Sequence, residues 1–167
     1  MHRHSAWIGA LLSLVVCPAV AASEPHLTLE RTSRRLSQTG DPIWLLSLQL
    51  NQDTAVHFDA VSGRAHRQTA DRHQTGSRAP LPPGIYSVGA VEDLGPTDPA
   101  ELGPIWIGIE PQFITGRGHL GIHLDPSANR NADSGTLGCI GLIDRQSMQD
   151  LAALVRQQGV RALVVKD

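Results

Sequence analysis

Short apolar runs, separated by polar segments rich in Gly, Pro, Asn and Asp, recur through the middle of this sequence. Runs of this length that are bounded by turn residues are typical of β-strands. They predict strands at residues 43–50, 55–62, 85–91, 105–109 and 119–125. "NQDT" suits a hairpin turn between the first two strands, and a Pro-Pro-Gly turn precedes the third.

One stretch near the C-terminus has helical spacing instead. In "DRQSMQDLAALVRQQG" the apolar positions follow an i, i+3, i+4, i+7 pattern, at Met148, Leu151, Ala152 and Val155. Asp144 can cap the start of this helix and Gly159 can end it, and residues 160–165 form a predicted closing strand. The predicted fold class is therefore mainly β with one or two helices (α+β), in one domain.

The N-terminus has the pattern of a secretory signal peptide. "MHRH" supplies a basic start, an apolar run follows, and "AVAA" supplies the small residues that precede a cut after Ala21 or Ala22. We predict a signal peptide at residues 1–21, a polar lead-in at residues 22–42, and a periplasmic product with no stable membrane anchor. An uncleaved N-terminal anchor is the alternative.

Cleavage at this point would remove Cys17 and leave Cys139 as the single cysteine of the mature chain. A lipoprotein signal at Cys17 is disfavoured because Val16 is bulky and Pro18 follows. Cysteines in oxidising compartments are usually paired, so a lone thiol there needs an explanation. The cut also removes one of 14 basic residues, leaving 13 against 16 acidic ones and a formal charge of −3. There is no basic run, so no nucleic-acid partner is expected.

A histidine precedes this cysteine by sixteen positions. In "HLGIHLD", strand alternation places His119, His123 and Asp125 on the face opposite the apolar residues. His123 is therefore the candidate base for a Cys139 nucleophile. An imidazolium at His123 would lower the pKa of the Cys139 thiol.

The cysteine lies in "GTLGCIGL", which can supply donors for an oxyanion. Gly138 allows a tight turn that frees N–H groups near Cys139, and Thr136 could add a hydroxyl. The same residues also have a structural explanation. Cys139 among apolar neighbours could be an inert core residue, and His123 a satisfied structural histidine.

Four polar residues near this pair are ambiguous in the same way. His119 could tune the site, but a surface role is favoured. Asp125 could orient a histidine or cap the loop that begins at Pro126, and we favour the cap. Arg117 and Arg130 flank the site and could meet a carboxylate, although solvated arginines are commoner.

The order of these features resembles the L,D-transpeptidase catalytic domain of the YkuD type. "IH" at 122–123 resembles the histidine strand of that family, and "TLGCI" at 136–140 its cysteine motif. "LPPGIYSV" at 81–88 resembles the turn and strand before the site, and "LAALVRQQGVRALVV" the closing helix and strand. The resemblance covers about residues 43–165. It implies a YkuD-like L,D-transpeptidase β-sandwich at residues 43–167.

Two positions depart from the family pattern. The family usually has histidine where this chain has Leu137, and arginine or asparagine where it has Gly141. The chain thus resembles a divergent branch. Neither change removes Cys139 or His123, but the contacts that the missing side chains would make to substrate do not carry over.

The resemblance implies a cysteine acyltransferase that acts on peptidoglycan stem peptides. We also predict a monomer that needs no cofactor. A thioester would form with release of D-alanine, and an amine (cross-linking) or water (L,D-carboxypeptidase action) would resolve it. The implied catalytic residues are Cys139 and His123, with Asp125 as an orienting residue. The predicted oxyanion and substrate residues are Thr136, Leu137, Gly138, Tyr86, His119 and Arg130.

Three other classes compete with this interpretation. Papain-like and NlpC/P60-like peptidases use the same pair, but their cysteine precedes their histidine. A metal-dependent hydrolase could use His119, His123 and Asp125, with Cys139 as a fourth ligand. A non-catalytic cell-wall-binding module would keep the fold and need no reactive thiol.

Overall fold

Residues 24–167 are the part of the chain that this computed structural model describes, so the predicted signal peptide lies outside the described residues. Within them are eight strands, one α-helix and two single-turn 3-10 helices, at Ala65–Arg67 and Ala100–Leu102. The strands and the α-helix are β1 (His26–Arg35), β2 (Pro42–Gln49), β3 (Ala55–Ser62), β4 (Gly84–Asp93), β5 (Ile105–Pro111), β6 (Leu120–Leu124), β7 (Ile140–Leu142), α1 (Arg145–Gln158) and β8 (Ala162–Val165). The prediction of a mainly β chain with one helix (α+β) is confirmed.

The eight strands form one closed barrel in the order β1-β2-β3-β7-β6-β5-β4-β8. Two neighbouring pairs are parallel, β1 with β8 and β6 with β7, and the others are antiparallel. The expected β-sandwich is not evident, because all eight strands belong to a single closed sheet. Closure removes free sheet edges, so the backbone groups of every strand have a neighbour.

The first strand corrects the prediction of a polar lead-in at residues 22–42. β1 pairs with β2 on one side and with β8 on the other. Leu27 and Leu29 alternate with polar residues and are fully buried in the core. The segment was predicted to be a polar lead-in because these two leucines are the only apolar residues of a ten-residue strand.

The helix matches its prediction closely. Its four predicted apolar residues are buried, and they pack with the inner side chains of the strands. The Asp144 side chain caps the start, with Oδ1 accepting from the Ser147 N–H at 2.8 Å. Gly159 ends the helix in the left-handed conformation, at φ 63°.

The strand β7 is only three residues long and was not predicted as a strand. It lies between β3 and β6, so it places the segment after Cys139 in the wall of the barrel. The parallel β6–β7 pair is connected by the loop of residues 125–139. Among residues 24–167, no helix has the length and apolar character needed to cross a membrane.

Candidate active site

Cys139 and His123 come from neighbouring parts of the sheet. In the parallel β6–β7 pair, His123 lies opposite Gly141 and Ile122 lies opposite Ile140. Cys139 precedes Gly141 by two positions, so its side chain leaves the sheet on the same side as His123. Strand spacing of about 4.8 Å and a rise of about 3.3 Å per residue put their Cα atoms roughly 8 Å apart, which both side chains can bridge.

The two side chains line the same cleft, which has a volume of about 1200 Å³. Trp106 and the loop before β7 form further parts of its wall. Three exposed carboxylates line the arm formed by β4, β5 and the second 3-10 turn, namely Glu92, Glu101 and Glu110. The cleft is large enough to take a peptide of a few residues.

The imidazole of His123 is held in one orientation. Its Nδ1 lies 2.8 Å from the Leu124 carbonyl oxygen. Because a carbonyl only accepts, Nδ1 carries the proton and Nε2 is the basic nitrogen. The ring also stacks on Trp106, with centroids 5.9 Å apart and an interplanar angle of 20°.

Burial keeps this imidazole neutral. His123 is 6% exposed, and this burial lowers its pKa below the ordinary value. The hydrogen bond to the Leu124 carbonyl and the charges of Asp125 and Glu101 oppose the shift without reversing it. A neutral imidazole with Nε2 unprotonated is the form that a general base requires.

The thiol of Cys139 is also uncharged. Burial raises its pKa, against smaller lowering effects from the Gly121 N–H and the charge of Arg117. Its Sγ lies 3.9 Å from the His119 carbonyl oxygen, a weak contact in which the thiol donates. The prediction of a thiol pKa lowered by an imidazolium is therefore wrong, because burial disfavours the charged form of both partners.

Thr136 braces the loop before the cysteine. Its Oγ1 donates to the Cys139 carbonyl at 2.7 Å and accepts from the N–H groups of Gly63 at 3.0 Å and Gly138 at 3.1 Å. The hydroxyl proton is thus committed within the protein, which corrects the prediction that it assists the oxyanion. The Gly138 N–H is occupied as well, so the N–H of Cys139 itself is the better candidate donor.

Asp125 caps the loop, as favoured from the sequence. Its Oδ1 accepts from the Ser127 N–H and its Oδ2 from the Gly135 N–H, both at 2.9 Å. No hydrogen bond to His123 is seen among the contacts of the described residues, so Asp125 acts on that ring through its charge. A Cβ at Gly141 would come within 2.9 Å of the Asp125 Cβ and 2.8 Å of the Thr136 Cγ2.

Two further predicted residues lie at the mouth of the cleft. Leu137 is 62% exposed and lines the cleft beside Cys139, so it is available to substrate rather than packed. His119 is exposed and also lines the cleft. Its backbone is in the left-handed region at φ 52°, and its carbonyl is the one that meets the thiol.

Tyr86 and Arg130 are not brought to the cleft. Tyr86 is fully buried, and its hydroxyl donates to the Pro82 carbonyl at 2.8 Å. Arg130 lines a separate cavity of about 500 Å³. The structure therefore gives Tyr86 a core position and places Arg130 away from Cys139, which corrects the substrate-binding role implied for both.

Two residues shape the site in ways that the sequence did not indicate: Trp106 was not singled out, and Arg117 was named only as a flanking residue. Trp106 covers Gly121 so closely that a Cβ there would overlap its ring. Arg117 is 8% exposed, although solvation was the commoner expectation. Alternation along β5 could have placed Trp106 on the same side as His123, but nothing in the pattern around Arg117 indicates burial.

A metal centre finds no support in this geometry. Among residues 24–167, no group of three or more His, Cys, Asp or Glu side chains is arranged to hold a metal ion. His119 is exposed, whereas His123 and Asp125 are buried. The arrangement is that of a thiol and an oriented neutral base beside a cleft.

Comparison with known proteins gives a distant structural likeness. No family model matches the chain, and no curated protein matches it. Among solved structures, the Bdellovibrio bacteriovorus protein Bd1075 is similar, with a TM-score of 0.49 and 16% sequence identity over 90% of this chain. The match covers 50% of that protein, so this chain spans about half its length. This likeness indicates nothing about activity.

Proposed function

We propose that this protein is a cysteine acyltransferase of the L,D-transpeptidase type that acts on peptidoglycan stem peptides. The observation that carries the proposal is the placement of Cys139 and His123 on one side of the β6–β7 pair, in the wall of a large cleft. The orientation of His123 by the Leu124 carbonyl supports a base role. The substrate class, the relation to the YkuD-like sandwich and export to the periplasm come from sequence resemblance and pattern.

In the first half-reaction, Sγ of Cys139 attacks the carbonyl between the L-centre of a diamino acid and the terminal D-alanine. The thiol proton passes to Nε2 of His123 as the C–S bond forms. The tetrahedral intermediate then collapses, the C–N bond breaks, and the leaving amine of D-alanine takes the proton from His123. The product is a thioester with both catalytic groups again uncharged.

In the second half-reaction, an amine of another stem peptide or a water molecule attacks the thioester. It gives its proton to Nε2 of His123, which returns the proton to the departing sulfur of Cys139. An amine yields a cross-link and water yields a trimmed peptide. The carboxylates of Glu92, Glu101 and Glu110 favour an amine-bearing substrate in their arm of the cleft.

The oxyanion of each tetrahedral intermediate needs a donor. The N–H of Cys139 is the proposed one, because the Thr136 hydroxyl and the Gly138 N–H are already hydrogen-bonded. The bracing of Cys139 by Thr136 keeps this segment in place before substrate binds. Such fixed donors are effective because they need no reorganisation during the reaction.

The test is incubation of the purified protein with muropeptides, followed by intact-mass measurement and assay of free D-alanine. The expected result is a covalent acyl adduct on Cys139 with D-alanine release. Cys139→Ala should abolish the adduct, and His123→Ala should slow it by about 10²- to 10⁴-fold, as loss of a general base does.

The matched control is His57→Ala. His57 is exposed on β3, bonded to Ser47, and is not among the residues lining the cleft. It should acylate at the parent rate. A folded parent protein that forms no adduct with any muropeptide, while its Cys139 still reacts with iodoacetamide, would contradict the proposed function.

A further inference from the structure

Arg117 is a buried cation without an acidic partner. It is 8% exposed, and no carboxylate within residues 24–167 lies at ion-pair distance from it. Its guanidinium donates to two backbone carbonyls, Nη1 to Arg72 at 3.0 Å and Nη2 to Leu137 at 3.2 Å. Burial of a charge is costly unless compensated, so an uncompensated arginine here needs an explanation.

The guanidinium lies directly against the cysteine motif. Gly138 adopts φ 126°, and a Cβ at that position would overlap Nη2 of Arg117. The absence of a side chain at Gly138 therefore has two effects. It allows the positive φ, and it lets the backbone pack directly against the Arg117 guanidinium. The motif and Arg117 are packed as one unit.

The charged and titratable groups around this unit come from four places. The loop between β3 and β4 supplies Arg72, whose carbonyl accepts from Arg117 and whose guanidinium is paired with Asp167. The segment before β6 supplies Arg117 and His119, β6 and the residue after it supply His123 and Asp125, and β4 supplies Tyr86. Burial raises the pKa of Tyr86 far above neutrality, so its phenol stays uncharged.

That leaves Cys139 as the group beside Arg117 that can become an anion. Burial lowers the pKa of Arg117, and the interactions that oppose this come first from Cys139 and then from Tyr86. Deprotonation of the thiol would give the guanidinium the counter-ion that it lacks in the resting site.

We propose that Arg117 is a positioning residue that holds the backbone of Leu137 and Gly138 and supplies the fixed positive charge against which the Cys139 thiolate forms. It rests on the proposed function only in that negative charge develops on Sγ of Cys139 as His123 takes the thiol proton. Arg117 does not touch the reacting carbonyl. Its effect is exerted through the sulfur and the loop.

The test is the pH profile of Cys139 alkylation by iodoacetamide in the full chain, measured by mass spectrometry of the peptide that contains Cys139. Arg117→Gln keeps an amide donor but removes the charge, and it should raise the thiol pKa by about one unit, with about tenfold slower alkylation below that pKa. Arg117→Lys keeps the charge and should preserve the parent profile.

The matched control is Arg64→Gln. Arg64 also lines the cleft, is half-buried and donates to loop carbonyls, those of Asp133 and Ser134. It is not among the groups that shift the Cys139 pKa. Its variant should leave the thiol profile unchanged, which separates the charge of Arg117 from loosening of the loop.

Three results would overturn the inference: a folded Arg117→Gln variant with the parent profile, equal shifts in the Gln and Lys variants, or an equal shift in Arg64→Gln. If Arg117→Gln does not fold, the Arg117→Lys variant decides between the two explanations. A raised thiol pKa in Arg117→Lys would contradict a charge effect, and the parent profile in Arg117→Lys would support a charge effect. No peptide substrate is used. A parent that never acylates but shows the Arg117-dependent profile therefore contradicts the proposed function alone.

Discussion

Burial holds the side chains of Cys139 and His123 in their uncharged forms. The lowered pKa of the imidazole and the raised pKa of the thiol both follow from the cost of placing charge in the wall of the barrel. The resting pair is therefore a thiol beside a neutral base, and in the proposed reaction the proton transfer accompanies attack. This differs from a preformed thiolate–imidazolium pair, which would react with any electrophile.

The first prediction concerns the pH dependence of acylation. The rate needs unprotonated His123, and its pKa is lowered, so acylation should persist below the ordinary imidazole pKa of about 6.5 and fall only at more acidic pH. Single-turnover acylation of muropeptides across this range measures it. An acid limb centred above about 6.5 would show that the imidazole is not buried as described.

The second prediction is a loss of stability in acid. The folded-state pKa of His123 is below its unfolded value, so the unfolded chain binds more protons and the free energy of unfolding falls as pH drops below about 6.5. His123→Gln cannot be protonated at this position, so its free energy of unfolding should fall less steeply as pH drops below about 6.5. Urea unfolding of both proteins at several pH values makes the comparison, and equal slopes would contradict the prediction.

The third prediction separates bracing from catalysis at Thr136. Thr136→Val leaves the N–H groups of Gly63 and Gly138 without their acceptor, which should cost about 1–3 kcal/mol of unfolding free energy. Thr136→Ser keeps the hydroxyl and should retain most of the stability. Urea unfolding and single-turnover acylation of both variants measure the two effects. If Thr136→Val keeps its stability and loses acylation alone, the hydroxyl serves the oxyanion instead.

The sequence was sufficient to propose the reactive pair but not its surroundings. A lone cysteine after a glycine, preceded by a histidine on an alternating strand, identified Cys139 and His123 as candidates. The bonding of Thr136 and the burial of Arg117 were not predictable, because both depend on loops that meet only in the folded chain. The sign of the thiol pKa shift was missed for the same reason, since burial is a tertiary property.

At the level of strands, glycines let neighbouring elements approach the site. Gly121 on β6 leaves room for the Trp106 ring, and Gly141 on β7 leaves room for the side chains of Asp125 and Thr136. Gly141 stands where the resembling family usually has arginine or asparagine. In this chain that side of β7 is already filled.

The fourth prediction is that restoring a side chain at Gly141 is destabilising. Gly141→Ala should lower the free energy of unfolding by about 1–3 kcal/mol through overpacking, and Gly141→Asn by at least as much. Thermal unfolding followed by circular dichroism measures this. Gly118→Ala is the uncrowded control, because nothing lies within 4 Å of the position that its Cβ would take. An unchanged midpoint of thermal unfolding in Gly141→Ala would mean that the side chains of Asp125 and Thr136 move aside at little cost.

Most elements were predictable because their apolar residues repeat with a clear period. β3 has its predicted bounds, and α1 has its predicted caps and buried residues. β1 was missed because it has only two inward apolar residues, and β7 because three residues are too few for a period. Both owe their structure to pairing with neighbouring strands more than to local preference.

At the level of the whole molecule, the barrel depends on contact between the two ends of the described chain. Leu27 and Leu29 on β1 lie opposite Leu163 and Val165 on β8. The helix α1 precedes β8 and packs its apolar side into the same core. Without β1, strands β2 and β8 would each have an open edge.

The fifth prediction follows from this closure. A chain that begins at Pro42, as if the preceding residues were a dispensable lead-in, should show no cooperative thermal unfolding, whereas one that begins at Glu24 should unfold cooperatively. The reason is loss of two core leucines together with two strand pairings. Thermal unfolding followed by circular dichroism, and the chemical-shift dispersion of the amide protons in NMR spectra, compare the two chains. Cooperative unfolding of the shorter chain would show that β1 is peripheral.

The β1–β8 pairing also sets when the site can form during synthesis. Leu27 pairs with Leu163, which is 136 positions further along the chain. The barrel therefore cannot close until the last strand is present. Until the barrel closes, the thiol lacks the burial that raises its pKa, and it is more open to oxidation than in the folded protein.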